Sequence, residues 1–315
     1  YQSTNLSRAR GATALKQLLA PALREGDAVA LIAPAGPLKS EEEFERAHEI
    51  VRALGLVPRI GTYAKGSALG YLAGTDDQRA SDFNEAARDA DIRGIFALRG
   101  GYGTMRILEQ IDYDAIARDP KVVLGYSDLT ALLNAITQRT GLVTFHGPVA
   151  ALSQFTPLEM QALRAAVMTA QPIGVLHAPE AQTLIGGSTS GRIVGGNLSL
   201  ISALVGTPFE VDTTGALLVL EDVDESPYRI DRMLTQLRMN GALSRAAGII
   251  AGGWTNCGVT DELLKDRLGD LGVPIVTETL IGHIDEQWTL PIGAHATLDA
   301  DTRTVSIEQL ATVDA

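Results

Sequence analysis

Cysteine and histidine are scarce in this chain, and their scarcity limits the chemistry available to it. Cys257 is the one cysteine among 315 residues, so an intrachain disulfide and a cysteine-rich zinc site are excluded. No histidine has the H-E-x-x-H spacing of a zinc enzyme, and the five are His48, His146, His177, His283 and His295. We therefore expect no metal site, and we interpret Cys257 as a buried, inert thiol.

Long apolar runs and an excess of basic residues are also missing. No uncharged apolar stretch reaches the roughly 20 residues of a membrane-spanning helix, so no membrane partner is expected. The net charge is −12, whereas phosphate binding needs clustered lysine and arginine, so we expect no nucleic acid partner. The segment 11–23 is interrupted by Lys16 and makes a poor signal-peptide core. We expect a cytoplasmic protein, with an export signal upstream of Tyr1 left open.

Strand-like and helix-like segments alternate through the first half of the chain. Ser40 and Glu43 predict a capping box at the start of one helix. The alternation itself predicts an α/β fold, in which a parallel sheet carries helices on both faces. The predicted strands lie at 27–37, 93–103 and 121–127, and the predicted helices lie at 40–55 and 75–92.

The pattern changes in the glycine- and serine-rich stretch between residues 151 and 190. Beyond it the elements are shorter and more β-rich. The sequence therefore predicts four segments, which are an N-terminal extension at 1–26, an α/β domain at 27–165, a linker at 166–190 and a smaller β-rich domain at 191–315.

The stretch VVLGYSDLTALLNAI, residues 122–136, places Ser127 between an apolar strand and a helix. Such a junction lifts a serine hydroxyl above the sheet edge, and the N–H of Asp128 is then available to an oxyanion. A serine before a helix is more often an N-cap, and the stretch by itself favours that interpretation. The elbow of α/β-hydrolases also has glycine where this chain has Leu129.

A second candidate segment is LRGGYGTMRIL, residues 98–108, which follows a predicted strand. Its glycines free backbone N–H groups to face an anion, although Arg106 interrupts the G-x-G-x-x-G pattern of dinucleotide sites. The segment is either the source of a second oxyanion donor or a tight turn that needs positive φ.

A carboxylate and a histidine follow later in the chain. Glu221 comes directly after the apolar strand GALLVL, and His283 stands in a loop after an apolar pair and a glycine. Acyl-transfer triads need a base to take the hydroxyl proton and an acid to orient it. Ser127, Glu221 and His283 permit such a triad, but the residue pattern alone does not select it.

Six motifs in order resemble the LD-carboxypeptidase family of serine peptidases, the S66 class, over residues 27 to about 310. They are APAGP, RGGYG, GYSDLTALLNAI…FHGP, GGNLSLISALVGTP, LEDVDESPYRIDRML and GHIDEQWTLPIG. The resemblance implies a flavodoxin-like N-terminal α/β domain, a β-rich C-terminal domain, an active site between them and a homodimer. It also implies that no metal or organic cofactor is needed.

The same resemblance implies roles for individual residues. Ser127 becomes the nucleophile, Glu221 the orienting acid and His283 the general base. The oxyanion hole is then formed by the N–H groups of Asp128 and Gly101.

The family's usual reaction is removal of the terminal D-alanine from muropeptide tetrapeptides during murein recycling. A second branch inactivates microcin C-type peptidyl-nucleotides, for which Trp254 or Trp288 could stack on the base, although either could equally be a core residue. An inactive ligand-binding module is the alternative of another class. Arg99, Tyr228 and Arg229 are candidate substrate contacts, although each could equally pair with neighbouring carboxylates.

Overall fold

The computed structural model describes residues 16–151 and 155–314, so most of the predicted N-terminal extension lies outside the described residues. The strands are β1 Ala20–Pro21, β2 Ala28–Ile32, β3 Val57–Ile60, β4 Ile92–Ala97, β5 Val122–Gly125, β6 Thr144–His146, β7 Gly174–His177, β8 Gln182–Ile185, β9 Ser188–Asn197, β10 Leu217–Val223, β11 Gly248–Thr255, β12 Ile275–Thr277, β13 Leu290–Ile292, β14 His295–Asp299, β15 Thr304–Ile307 and β16 Thr312–Val313. The α-helices are α1 Glu41–Ala53, α2 Asp76–Arg88, α3 Tyr113–Arg118, α4 Leu129–Thr140, α5 Pro157–Val167, α6 Leu198–Ala203, α7 Pro227–Met239, α8 Ala242–Arg245 and α9 Asp261–Leu268, and a 3₁₀ helix spans Thr104–Gln110.

The first sheet is the parallel α/β layer that the sequence predicts. Its order is β13-β6-β5-β4-β2-β3, with β2 to β6 parallel and β13 added antiparallel at the edge. Counted from β2, the parallel strands have the order 2-1-3-4-5 of flavodoxin-like folds, so that prediction is confirmed. The ligand crevice of this topology opens where the order reverses, here between the ends of β2 and β4.

The second sheet has the order β7-β15-β14-β9-β10-β11-β12-β8, with β9 to β12 parallel at its centre. Two of its strands, β7 and β8, lie within the predicted linker 166–190. In turn β13, from the C-terminal part of the chain, pairs with β6 of the first sheet. The C-terminal part of the chain therefore contributes a strand to the first sheet. The domain limits drawn from the sequence stay a prediction.

Helix α4 lies between the two sheets and starts two residues after Ser127. Ten of its residues are buried, including the polar Thr130 and Asn134. Half of its twelve residues are polar, so burial on this scale requires hydrogen-bond partners for several of them. It ends at Gly141, whose left-handed φ of 79° terminates the helix before β6. The site therefore rests on an element that cannot move without repacking both sheets.

Two helix starts differ in how they are capped. Thr75 forms a full capping box with Gln78 at the start of α2. The box predicted for Ser40 and Glu43 is wrong, because the carboxylate of Glu43 accepts the N–H of Lys39 at 2.7 Å instead. Across the part of the chain that the structure describes, no helix is long and apolar enough to cross a bilayer.

Candidate active site

Ser127 occupies the turn between β5 and α4 with a left-handed backbone, at φ 62°. A residue other than glycine in this region is strained by about 1–3 kcal/mol. The helix N-cap is Asp128, which makes no side-chain cap, and the Ser127 hydroxyl meets the imidazole of His283 rather than a helix N–H. The helix-cap interpretation that the local sequence favours is therefore wrong.

Three predicted residues form one hydrogen-bonded row. The Oγ of Ser127 lies 3.0 Å from Nε2 of His283, and Nδ1 of that ring lies 2.8 Å from Oε2 of Glu221. Glu221 is fully buried, whereas the side chain of His283 is 18% exposed. Because a carboxylate only accepts, Nδ1 donates to Glu221, which leaves Nε2 free to accept the serine proton. This arrangement can activate a hydroxyl for attack on a carbonyl carbon.

The acid and the histidine meet through a close approach of two backbones. Glu221 stands on β10 in register with Asn197 of β9, and His283 lies in the loop after β12. The hydroxyl of Thr255 donates to the carbonyl of His283 and holds that loop on β11. Gly282 has φ 96°, and a Cβ there would lie 2.3 Å from Oε2 of Glu221. Only glycine lets the loop come this near the carboxylate.

The glycine-rich loop after β4 packs directly on the serine. A Cβ added to Gly100 would lie 2.8 Å from the Cβ of Ser127 and 2.9 Å from its Oγ. The next residue, Gly101, has φ 107°, as the turn interpretation requires. Within the described ranges, the backbone N–H groups of Gly101 and Asp128 donate to no backbone carbonyl in turns or loops. Asp128 directly follows Ser127 and Gly101 directly follows the glycine packed on it, so both N–H groups are candidates for the oxyanion hole that the family resemblance implies.

The side chain of Asp128 connects the turn at Ser127 between β5 and α4, here called the elbow, to the glycine loop. The sequence did not predict this role. The carboxylate is buried, and its Oδ2 accepts the N–H of Thr104 at 2.8 Å, at the start of the 3₁₀ helix. Burial raises the pKa of Asp128. Arg79, also buried, donates to the carbonyls of Pro34 and Gly103 and so joins the loops after β2 and β4.

One aromatic ring packs against the histidine of the row. The ring centroid of Tyr126 lies 4.8 Å from that of His283, and Tyr126 also meets the ring of His146, edge-on at 6.0 Å. His146 is fully buried, and neither of its ring nitrogens has a hydrogen-bond partner among the described residues. Burial lowers the pKa of His146 to about 4, so its ring is neutral at pH 7. The sequence signals were its place in the FHGP motif and the tyrosine next to Ser127.

The predicted substrate contacts lie in two places. Arg99 is half-buried at the start of the glycine loop, where its guanidinium donates to the carbonyl of Pro37 at 2.8 Å. Tyr228 and Arg229 are exposed on α7, and Arg229 pairs with Glu225 at 3.2 Å. Arg99 therefore precedes the glycine that packs on Ser127, with its guanidinium held at the loop after β2, whereas Arg229 lies in a surface ion pair.

The two tryptophans suggested for stacking are largely enclosed. Trp288 is 4% exposed and belongs to the core of the second sheet, while Trp254 is half-buried against the main core. Two exposed tyrosines, Tyr71 and Tyr102, flank the glycine loop instead, with ring centroids 6.0 Å apart. Tyr102 lies within the glycine loop, between Gly101 and Gly103. The exposed aromatic rings at this loop therefore belong to two tyrosines and not to the tryptophans.

Metal-binding side chains do not gather at this site. In residues 16–151 and 155–314, no group of three or more histidine, cysteine, aspartate or glutamate side chains is arranged to hold an ion. Cys257 is buried, and burial raises the pKa of its thiol, as expected of an inert cysteine.

Proteins with similar sequences carry names from murein metabolism. The chain is 39% identical to a Bacillus subtilis protein named "Probable murein peptide carboxypeptidase", over 91% of this chain and 93% of that protein. It is 30% identical to the murein tetrapeptide carboxypeptidase of Pseudomonas aeruginosa, over 87% of this chain and 93% of that protein.

Solved structures of similar shape come from two groups of proteins. The microcin C7 self-immunity protein MccF in complex with aspartyl sulfamoyl adenosine matches at a TM-score of 0.86 and 26% identity, over 94% of this chain and 99% of that one. The muramoyltetrapeptide carboxypeptidase of Oxalobacter formigenes matches at a TM-score of 0.79 and 26% identity, over 91% and 100%.

The family itself is given by two matches that span both sheets. Residues 29–147 match the LD-carboxypeptidase N-terminal domain, and residues 190–298 match the LD-carboxypeptidase C-terminal domain. With the hydrogen-bonded row, the flavodoxin-like strand order and the relatives above, the chain belongs to the LD-carboxypeptidase family of S66 peptidases.

Proposed function

We propose that this protein is a serine L,D-carboxypeptidase that releases the terminal D-alanine from muropeptide tetrapeptides. The observation that carries the proposal is the row of Ser127, His283 and Glu221, with hydrogen bonds of 3.0 and 2.8 Å. The murein names of its relatives supply the substrate class. The scissile amide joins the L-centre of diaminopimelate to D-alanine.

In the proposed reaction, Oγ of Ser127 attacks the amide carbon while Nε2 of His283 takes the hydroxyl proton. Glu221 keeps the ring oriented and stabilises the imidazolium that forms. The N–H groups of Asp128 and Gly101 hold the negative oxygen. His283 then protonates the departing amine of D-alanine, and later it accepts a proton from the water that hydrolyses the acyl-enzyme.

Substrate binding is proposed for Arg99 first, because it directly precedes Gly100, which packs on Ser127, and its guanidinium lies at the loop after β2. An arginine there suits the terminal carboxylate of a tetrapeptide. Tyr228 and Arg229 are proposed more distantly as contacts to the diaminopimelate side chain. A cytoplasmic location stays a prediction from the N-terminal sequence, and a homodimer stays a prediction from the family resemblance. Light scattering on the purified protein tests the dimer.

The second candidate function is cleavage of a peptidyl-nucleotide by the same row. The likeness to a protein solved with aspartyl sulfamoyl adenosine favours it. The exposed pair of Tyr71 and Tyr102 offers a ring surface on which a base could stack. A catalytically inactive binding module is disfavoured, because such a module has no use for an activated hydroxyl with both partners in place.

A turnover assay with two substrates separates these functions. Purified protein is given a muropeptide tetrapeptide and a peptidyl-adenylate analogue side by side, and D-alanine and the free nucleotide product are measured. We expect D-alanine release that Ser127→Ala abolishes and that EDTA leaves unchanged. Turnover of the adenylate alone would replace the main proposal by the second, and turnover retained by Ser127→Ala would remove the serine mechanism.

A further inference from the structure

Helix α4 carries a polar side chain at every fourth position, at Thr130, Asn134 and Gln138. Residues four apart lie on one face of a helix. Each of these side chains hydrogen-bonds the backbone of the chain beyond residue 190. Burying polar groups is unfavourable unless they are hydrogen-bonded. The three polar side chains on this face of α4 therefore need an explanation beyond helix formation.

The bonds nearest the elbow are made to β9. The Oγ1 of Thr130 accepts the N–H of Asn197 at 3.0 Å. The Oδ1 of Asn134 accepts the N–H of Gly195 at 2.9 Å, and its Nδ2 donates to the carbonyl of Gly195 at 2.9 Å and to that of Thr130 at 2.7 Å. Thr130 and Asn134 are 0% and 1% exposed. The amide of Asn134 thus pairs with β9 much as a neighbouring strand would.

These bonds connect the serine side of the site to the acid side. The backbone N–H of Thr130 donates to the carbonyl of Ser127 at 2.9 Å. On the other side, Asn197 is in register with Glu221 on β10. A short path of hydrogen bonds therefore runs from the serine, through the first turn of α4, to the strand beside the acid.

A glycine of β9 makes this approach possible. Gly196 has φ 133°, and a Cβ there would lie 2.6 Å from Oγ1 of Thr130 and 3.1 Å from the ring of His146. Helix α4 therefore packs on bare backbone at this point. In the GGN motif, Gly196 admits the helix and Asn197 donates the N–H that Thr130 accepts, whereas Gly195 lies close to the backbone of β10.

We propose that Thr130 and Asn134 are positioning residues that fix α4 against β9 and so hold Oγ of Ser127 at reacting distance from His283. Apolar side chains would fill the same space but would let the helix slide, whereas paired donors and acceptors specify one register. The inference rests on the proposed function in taking Ser127 as the nucleophile.

Gln138 provides a matched control on the same face of the same helix. Its amide accepts the N–H of Asp212 at 2.7 Å and donates to the carbonyl of Glu210 at 3.2 Å. It lies about 6 Å farther from the elbow than Asn134, since a helix rises 1.5 Å per residue. Its partners belong to the loop between α6 and β10, away from the acid. Its loss removes comparable hydrogen bonds without touching the path to Glu221.

The experiment compares Thr130→Val, which lacks the acceptor, with Thr130→Ser, which keeps it, and Asn134→Leu with Gln138→Leu. Ser127 is labelled with a fluorophosphonate, the labelling rate is followed by mass spectrometry, and kcat and KM for D-alanine release are measured in parallel. We expect Thr130→Val and Asn134→Leu to lower the labelling rate and kcat by about 10- to 100-fold, with KM nearly unchanged. Thr130→Ser and Gln138→Leu should keep rates close to those of the wild type, although Gln138→Leu lowers resistance to urea.

Equal rates in Thr130→Val, Thr130→Ser and the wild type would overturn the proposal, as would an equal loss of rate in Gln138→Leu. If Asn134→Leu does not fold, the threonine pair still decides. Wild-type protein that is labelled but releases no D-alanine would reject the proposed substrate, and the labelling rates would still test positioning. Wild-type protein that is not labelled at all would overturn both.

Discussion

The serine side and the acid side of the site differ in which residue adopts a positive φ. On the first sheet, Ser127 keeps a side chain in the left-handed region at φ 62°, a strain of about 1–3 kcal/mol. On the second, the turn before His283 uses Gly282 at φ 96°, where a side chain would collide with Glu221. Strain is therefore stored at the proposed nucleophile, and it is avoided where the backbone must approach a buried carboxylate.

The largest expected effect comes from removing either end of the hydroxyl–imidazole contact. Ser127→Ala and His283→Ala should each lower kcat/KM for D-alanine release by about 10⁴-fold or more, and the double variant should lose no more, because the residues act as a unit. Steady-state kinetics on the three variants tests this. Losses that multiply in the double variant would show that the two residues act separately.

Substitutions at Ser127 also test the backbone strain, through their effect on the free energy of unfolding. Ser127→Gly should be more resistant to urea than Ser127→Ala by about 1 kcal/mol, because glycine adopts positive φ without strain. Equal stability of the two variants would mean that the elbow stores no strain.

The second prediction concerns the close approach of the Gly282 backbone to Glu221. Gly282→Ala should lower kcat/KM by about 10- to 100-fold, because its Cβ would lie 2.3 Å from Oε2 of Glu221 and displace the carboxylate or the loop. Gly272→Ala is the matched control, since Gly272 also has positive φ, at 68°, but has no atom within 4 Å of an added Cβ. That variant should lose some stability and keep its activity. Equal loss of activity in both would show that φ alone accounts for the effect.

Local patterning was sufficient to predict the parallel strands of the first sheet. Apolar strands ending in glycine and capped helices such as the one begun by Thr75 are encoded by adjacent residues, so the alternation predicts the parallel layer. The capping box at Ser40 failed because Glu43 could reach either of two neighbouring N–H groups, which a motif does not distinguish. The pairing of β13 with β6 joins residues about 145 apart in the chain, and no local pattern encodes it.

The site shows the same limit more sharply. The serine, acid and histidine are separated by many residues, so spacing permitted the row, and only the family resemblance singled it out. The local sequence favoured a helix cap at Ser127. Capping preferences are based on neighbouring residues, so they do not include the positive φ of 62° or the contact with the imidazole of His283, which lies 156 residues away in the chain. The roles of Asp128 and Arg79 in holding the glycine loop depend on which loops meet, and that is decided by tertiary packing.

The third prediction compares the buried aspartates that follow the serine and the acid. Asp128 binds the N–H of Thr104 next to the glycine loop, whereas Asp222 accepts the side-chain amide of Asn197 and the N–H and hydroxyl of Ser199. Asp128→Asn should lower kcat by about 10-fold, because a misplaced glycine loop would weaken the proposed oxyanion hole. Asp222→Asn should mainly lower the unfolding free energy, by about 1–3 kcal/mol. A larger loss of kcat in Asp222→Asn would reverse this division of roles.

The smallest effect on activity is expected at His146, the buried histidine of the first sheet, which contrasts with the partly exposed His283 of the second. Its pKa is lowered from 6.5 to about 4 by burial, so between those values the unfolded chain binds a proton that the folded chain does not. Stability should therefore fall as the pH drops from 6.5 towards 4, by about 3 kcal/mol in all at 1.36 kcal/mol per pKa unit. His146→Leu should remove this part of the pH dependence, and the exposed His177→Leu should not. Urea unfolding of the three proteins at pH 7 and pH 5 measures the difference, which would be absent if His146 were protonated in the folded state.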